Sequence, residues 1–291
     1  MTGPRAAQVD GEPRDAGAAP RAQIPGFIAP MVRHRHLITQ MARRDIAMRY
    51  RGSLLGPVWV ILAPLALLAV YTFVFSVVLK NRWAGVEGDG GGTAAFALRL
   101  YAGLVVFQFL ATCLNSAPSE IMRNTQFVKR VVFPLESLAW VRLLIALFDA
   151  AMGAVVLAVF YSILEGVPPV EALVIPLIVL PLVPASLGLM WFLSALGVFL
   201  RDLGQIISTL VTLLLFGSAI FYPLSVVPEQ WRIVIQLNPL AVVIDQVRQA
   251  LFSGALPDWR VTGGLLVVGL LLAWGGHAWF RRVRGAFADV L

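Results

Sequence analysis

Apolar residues gather in six stretches along the chain, each near the length that crosses a bilayer as a helix, which is about 20 predominantly apolar residues. They run at about 58–79, 94–114, 138–164, 172–200, 203–222 and 261–280. This pattern predicts an all-α polytopic membrane protein with six transmembrane helices. Gly56 and Pro57 open the first stretch, where proline suits a first helical turn. Pro176, Pro181 and Pro184 fall within the fourth, and their missing N–H groups predict a kink or a late start. Ahead of the first stretch, residues 34–52 read as a basic, imperfectly amphipathic helix. Leu37, Ile38, Met41 and Met48 share one broad face, which Asp45 and Arg49 interrupt. That fits an interfacial helix lying along the membrane surface or an ordinary solvated basic flank. Residues 1–33, rich in Ala, Gly, Pro and Arg, are predicted to be a disordered cytoplasmic tail. The chain thus divides into that tail and one membrane domain over 34–291.

The connection between the fifth and sixth stretches, Pro223 to Arg260, is unusually apolar for a soluble loop. Pro228, Pro239 and Pro257 divide it into two short helical pieces, Glu229 to Leu237 and Leu240 to Phe252. Trp231 lies on the first, and Asn238 and Pro239 separate the two. Such pieces either dip back into the membrane, shielded by neighbouring helices, or form a surface amphipathic pair.

Composition agrees with a membrane solvent. Of 291 residues 59% are apolar and 13% charged, with a mean hydropathy of +0.81, far from the balance of a soluble domain. The net charge of +7 leaves nucleic acid, anionic lipid and membrane orientation as explanations. Placement decides. Basic residues accumulate on the cytoplasmic side of membrane helices. With the N-terminus inside, 17 Lys and Arg fall on that side and 6 on the other: Lys80, Arg82, Arg99, Arg232, Arg248 and Arg260. Both termini are therefore predicted to be cytoplasmic, and nucleic-acid binding is not needed to explain the charge.

Most catalytic chemistry lacks its residues. A phosphate-binding loop needs Gly-Lys followed by Ser or Thr, but the two lysines, Lys80 and Lys129, do not follow glycine. If ATP drives this protein, another chain hydrolyses it. His34, His36 and His277 do not lie at the zinc spacing of a membrane metalloprotease motif, and Cys113 is the single cysteine, so no metal site is expected. Asp149 is the conspicuous polar residue, near the middle of the third stretch. An acid there invites proton coupling, or else pairs with a polar group on a neighbouring helix.

Four segments then carry a resemblance. RDIAMRYRGSLLGPVWVILAPL (Arg44 to Leu65), NTQFVKRVVFPLE (Asn124 to Glu136), NPLAVVIDQVRQALF (Asn238 to Phe252) and FRRVRGAFADVL (Phe280 to Leu291) occur in the order found in ABC type-2 exporter permeases. That group moves O-antigen, capsule and teichoic-acid polymers. The chain resembles it from about residue 35 to its end.

The resemblance implies a permease homodimer working with two copies of a cytoplasmic ABC ATPase, which binds ATP and Mg while this chain binds no cofactor. It implies a lipid-linked or free glycan as cargo and a cell inner membrane as location. It also implies a coupling helix in the loop Asn115 to Leu138, where Asn124, Gln126, Phe127, Lys129 and Arg130 would meet the ATPase; the plain alternative is a basic loop that only sets topology. Trp231, Asn238 and Pro239 would belong to two gate helices at the channel exit. The channel would be lined by the first and fifth helices, where Tyr71, Phe75, Phe216 and Tyr222 could stack on sugar rings, though aromatic residues in membrane helices more often pack or anchor. A drug or lipid ABC permease and a secondary transporter remain as other classes.

Overall fold

The computed structural model describes residues 26–51, 56–74, 92–128, 133–222 and 227–290. Every regular element among them is helical. In chain order they are α1 (Ala29–Arg33), α2 (Arg35–Tyr50), α3 (Trp59–Thr72), α4 (Gly92–Ser116), α5 (Glu120–Arg123), α6 (Thr125–Val128) and α7 (Ser137–Leu164). There follow α8 (Ile175–Val179), α9 (Leu182–Phe199), α10 (Leu203–Gly217), α11 (Glu229–Gln236), α12 (Pro239–Arg248), α13 (Trp259–Val283) and α14 (Phe287–Val290).

Four helical runs among the described residues are long and apolar enough to cross a membrane: Ala95–Arg123, Ser137–Leu164, Val170–Phe199 and Trp259–Ala286. They coincide with the second, third, fourth and sixth predicted spans. The third of these runs is segmented as its prolines require. A 3-10 turn at Val170–Val174 leads into α8, and α9 restarts after Pro181. At the other two predicted spans the described helices are shorter. α3 has 14 residues, and the rest of its predicted stretch beyond Val74, including Phe75, lies outside the described residues. α10 has 15, because the chain turns sharply after Gly217 with Ala219 at φ 51°. Of the expected tail, residues 1–25 lie outside the described residues, and 29–33 form α1.

α4 is the central helix: 67% of its apolar window is buried by protein, against 28% for α7 and for α13. The outward faces of α7 (Val155, Val159, Ile163) and α13 (Val267, Val268, Leu271, Trp274) are apolar and uncovered, as a hydrocarbon solvent allows. α9 and α13 approach most closely, through glycine. A Cβ on Gly276 would lie 2.1 Å from the Gly188 carbonyl oxygen, and one on Gly188 2.2 Å from that of Leu272. Small residues let helix backbones meet where no hydrophobic force separates protein from lipid. Trp191, fully buried, fills the space beside this seam. Its ring meets Trp140 and His277 edge-on at 6.2 and 4.8 Å, and its Nε1 donates to the Glu136 carbonyl at 3.1 Å.

α2 packs along the first half of α7 through Ile38, Met41 and Ala42. Residues 117–128 and 133–136 of the connection, the start of α10 and the C-terminal α14 gather at that same end of the bundle. There a Cβ on Gly197 of α9 would strike the Pro118 carbonyl at 2.1 Å, and Phe287 is buried between Phe199 and Phe280. The described N-terminal and C-terminal elements therefore share one end of the bundle.

Candidate functional site

Two regions hold most of the polar side chains the sequence singles out, one at each end of the bundle. At the first, the connection after α4 makes a 3-10 turn (Ala117–Ser119), then α5 and α6. Glu120 is the hub. It is 4% exposed, a costly place for a carboxylate without partners. Arg142 Nε donates to it at 2.5 Å, and Asn124 Nδ2 donates to its carboxylate at 3.1 Å and to its backbone oxygen at 2.9 Å. Arg142 also lies 3.8 Å from Asp45 on α2. A cavity of about 10 Å³ beside Glu120 is bounded by Arg142, Trp191 and Ser194. That is room for a single water. Farther along, buried Glu136 accepts from Arg284 Nη1, which ties the end of the connection to the C-terminal segment.

The coupling residues expected from the sequence divide. Asn124 is half-buried and occupied with Glu120, and Gln126 is exposed. Phe127 is half-buried, its ring stacked on Phe133 at 4.3 Å with the planes 11° apart. Lys129 and Arg130 lie outside the described residues. Sequence reasoning passed over Met122, which is 42% exposed beside exposed Arg123 and is the outward apolar side chain of this turn. It also passed over Glu120, because an acid in a connecting loop carries no signal until its burial is known.

Asp149 has a partner. Arg49 Nη1 donates to both its oxygens, at 2.8 and 2.9 Å. The two residues that break the amphipathic face of α2, Asp45 and Arg49, are thus the ones facing Arg142 and Asp149 on α7.

At the opposite end, α10 stops at Gly217 and the chain turns through 218–222. Its carbonyls are met by two side chains from α12. Asn238 caps α12 by accepting from Leu240 N at 3.0 Å, while its Nδ2 donates to the Gly217 carbonyl at 3.1 Å and to Ser218 Oγ at 2.9 Å. Pro239 follows at a first-turn position where no N–H is needed. Arg248, 6% exposed, donates to the carbonyls of Ala219 at 2.7 Å, Ile220 at 2.6 Å and Arg99 at 2.9 Å. α4 makes room for it with Gly103, whose added Cβ would lie 2.7 Å from Arg248 Nη2. α12 is thereby a core element, with Leu240, Val243, Ile244 and Val247 buried. α11 differs. Trp231 and Ile233 on it, and Leu237 just past its end, are 59, 66 and 77% exposed.

Of the four aromatic residues named for a channel, Phe216 and Tyr222 come together. Phe216 is exposed at the end of α10, and its carbonyl accepts from the Tyr222 hydroxyl at 2.9 Å. Tyr71 lies in the last turn of α3, and Phe75 lies outside the described residues. The structure adds a stripe that hydropathy averages away. Gln205, Ser208, Thr209 and Thr212 are all exposed, at helical spacing on α10. The two threonine hydroxyls bond only to their own helix, to Gln205 O and Ser208 O at 3.0 Å. Polar side chains on a membrane helix face protein or water in preference to lipid.

Residues 36–252 match the model of the ABC-2 type transporter family. The chain is 25% identical over 265 residues to the O-antigen export system permease protein RfbA of Myxococcus xanthus, covering 90% of this chain and 98% of that protein. It is 26% identical over 257 residues to a protein of the same description from Klebsiella pneumoniae, covering 88% and 95%. The polysialic acid transport protein KpsM of Escherichia coli is 23% identical over 239 residues, covering 82% and 90%.

Proposed function

The chain belongs to the ABC-2 type transporter family, and on that premise we propose that it is the membrane-spanning subunit of an ATP-driven exporter of a cell-surface polysaccharide such as O-antigen. The observation that carries the reading is the end-to-end correspondence with O-antigen export permeases, which leaves almost none of the relative's length unmatched. The hydroxyl-bearing face of α10 supports it. A hydrated polymer slides past weak, neutral hydrogen-bonding groups more readily than past charges that would hold it.

In this reading α3 and α10 complete six crossings, both termini face the cytoplasm, and two copies of the chain enclose a conduit in the inner membrane. The α10 faces meet across it, with Phe216 and Tyr222 at its outer mouth. A separate ATPase subunit, in two copies and holding ATP and Mg, docks on the 117–136 connection. Met122, Arg123 and Gln126 offer the outward contacts, and Lys129 and Arg130 add charge. Its closure moves the bundle as rigid bodies. α11 and α12 act as the gate: α12 is anchored to the turn at 218–222, and α11 exposes Trp231. Asp149 serves as a structural partner of Arg49, with no proton path.

Removal of the gene with complementation by the intact chain tests the proposal. Loss of surface polysaccharide with accumulation of the polymer inside is expected, together with co-purification of a P-loop ATPase with the intact chain. Unchanged surface polysaccharide, or a purified complex without any such ATPase, overturns it.

A further inference from the structure

Two ion pairs join α2 to α7, and they are crossed. α2 supplies the acid to one, Asp45 at 3.8 Å from Arg142, and the base to the other, Arg49 at 2.8 Å from Asp149. The apolar contacts between these helices, through Ile38, Met41 and Ala42, are non-directional and would tolerate sliding. The charges do not. Asp45 and Arg49 stand one turn apart on α2, on the side of the helix that carries Ile38 and Ala42, with Asp45 half-buried and Arg49 at the exposed edge. A one-turn slip outward brings Asp45 to Asp149, and a slip in the other direction brings Arg49 to Arg142. Either displacement replaces attraction by like-charge contact, so one register survives.

Arg142 is engaged on its other side as well. Its Nε holds buried Glu120, which in turn holds Asn124. A continuous series of polar contacts therefore leads from Asn124 on the connection through Glu120, Arg142 and Asp45 into α2, and from α2 through Arg49 to the middle of α7. Partly buried ion pairs are a poor source of stability compared with apolar packing, and their best-attested use is to specify register.

Resting on the docking role given above to the connection, we propose that Glu120, Arg142, Asp45, Arg49 and Asp149 are positioning residues that bind α2 and α7 to the connection, so that a displacement of the connection carries both helices with it in one fixed register. The interrupted amphipathic face of α2 is then no defect. Its two charged positions are the points of attachment.

The test is a charge swap, made in the full chain in its native membrane complex. Arg49→Asp and Asp149→Arg each set like charges face to face. Each single variant is expected to cut polysaccharide export by about tenfold or more, and the double variant to recover it to within about threefold of wild type, the size of coupling shown by residues in direct contact. Glu120→Gln, which keeps size and one oxygen acceptor, is expected to raise the ATP hydrolysed per unit of polymer exported by about threefold or more, a ratio that a general loss of folded protein leaves unchanged. Should the single reversals fail to accumulate, the melting temperature of the purified double variant takes their place, with recovery to near the wild-type value expected. The proposal is overturned if the double variant exports or melts no better than the worse single variant, or if Glu120→Gln leaves the hydrolysis ratio unchanged. Failure of the transport reading looks different, because the wild-type complex itself would then lack an ATPase or an export activity while the swap still restored the melting temperature.

Discussion

Replacing Arg248 by methionine isolates what a single buried guanidinium does at the turn after α10. Methionine retains most of the aliphatic stem and removes the donors. Of the three carbonyls that Arg248 serves, the one at Arg99 belongs to α4 and keeps a helical partner, whereas those of Ala219 and Ile220 lie in the turn. Two buried carbonyls are left without donors, at about 2 kcal/mol each. Ala219, held at φ 51°, gives back about 1 kcal/mol of strain as the turn relaxes. The net loss is about 3 kcal/mol, which for a chain of this length lowers the melting temperature by about 6 °C. Thermal unfolding of the purified protein in detergent, followed by tryptophan fluorescence, reads this directly. Arg248→Lys, which supplies one ammonium to two divergent carbonyls, is expected to recover less than half. A fall of less than about 2 °C for the methionine variant would show that the turn holds itself, and the account of Arg248 as its anchor would be wrong.

Gly276→Leu forces a side chain into the Gly188 carbonyl 2.1 Å away and is expected to abolish monodisperse protein in size-exclusion chromatography; Gly275→Leu, with open space around its Cβ, is expected to leave the profile unchanged. Asn238→Ala removes both the α12 cap and the bonds to Gly217 and Ser218, for a loss of about 1–2 kcal/mol in thermal unfolding. Asn238→Asp keeps the acceptor and loses the donors, so it is expected to fall between the two. Replacing Ser208, Thr209 and Thr212 together by alanine or valine breaks only bonds within α10, so stability is expected to stay within about 0.5 kcal/mol for each position; export measured by surface polysaccharide is expected to fall, and unchanged export would remove this face from the conduit.

Hydropathy located the four long helices because lipid solvation and helical length impose one signal on every residue of a span. It overran at α10, where LLLFGSAIFY continues the apolar run past the point at which the helix stops. Gly217 is a weak local mark of that stop, because a glycine inside an apolar run is tolerated in a helix. The turn is made tolerable by Asn238 and Arg248, 21 and 29 residues away in the chain from the carbonyls they satisfy. The site was legible in the same uneven way. Asp149 stood out because a charge in an apolar run is visible, but its partner was hidden in the basic flank, where Arg49 looked like one orientation charge among many. Glu120 was overlooked because an acid in a connecting loop is ordinary until its burial is known. The glycines of the α9–α13 seam carry no pattern of their own, since contact between two helices distant in sequence is decided by both of them together.

The two ends of the bundle are held by different kinds of contact, and the difference bears on how motion could pass between them. From the 117–136 connection to the middle of α7 the ties are ion pairs on long side chains: Arg142 with Glu120 and Asp45, Arg49 with Asp149, Arg284 with Glu136. These pairs are hydrogen-bonded as well, but Coulomb attraction between opposite charges falls off slowly with distance, so part of each contact survives a shift of an ångström or so and lets the elements move together without parting. At the opposite end the ties are short hydrogen bonds from Arg248 and Asn238 to backbone carbonyls, which weaken steeply once length or angle departs from the optimum. Such a turn either stays closed or releases. In the proposed orientation, the compliant end faces the ATPase and the switch-like end faces the exit, the order needed for a push on one side of the membrane to become an opening on the other.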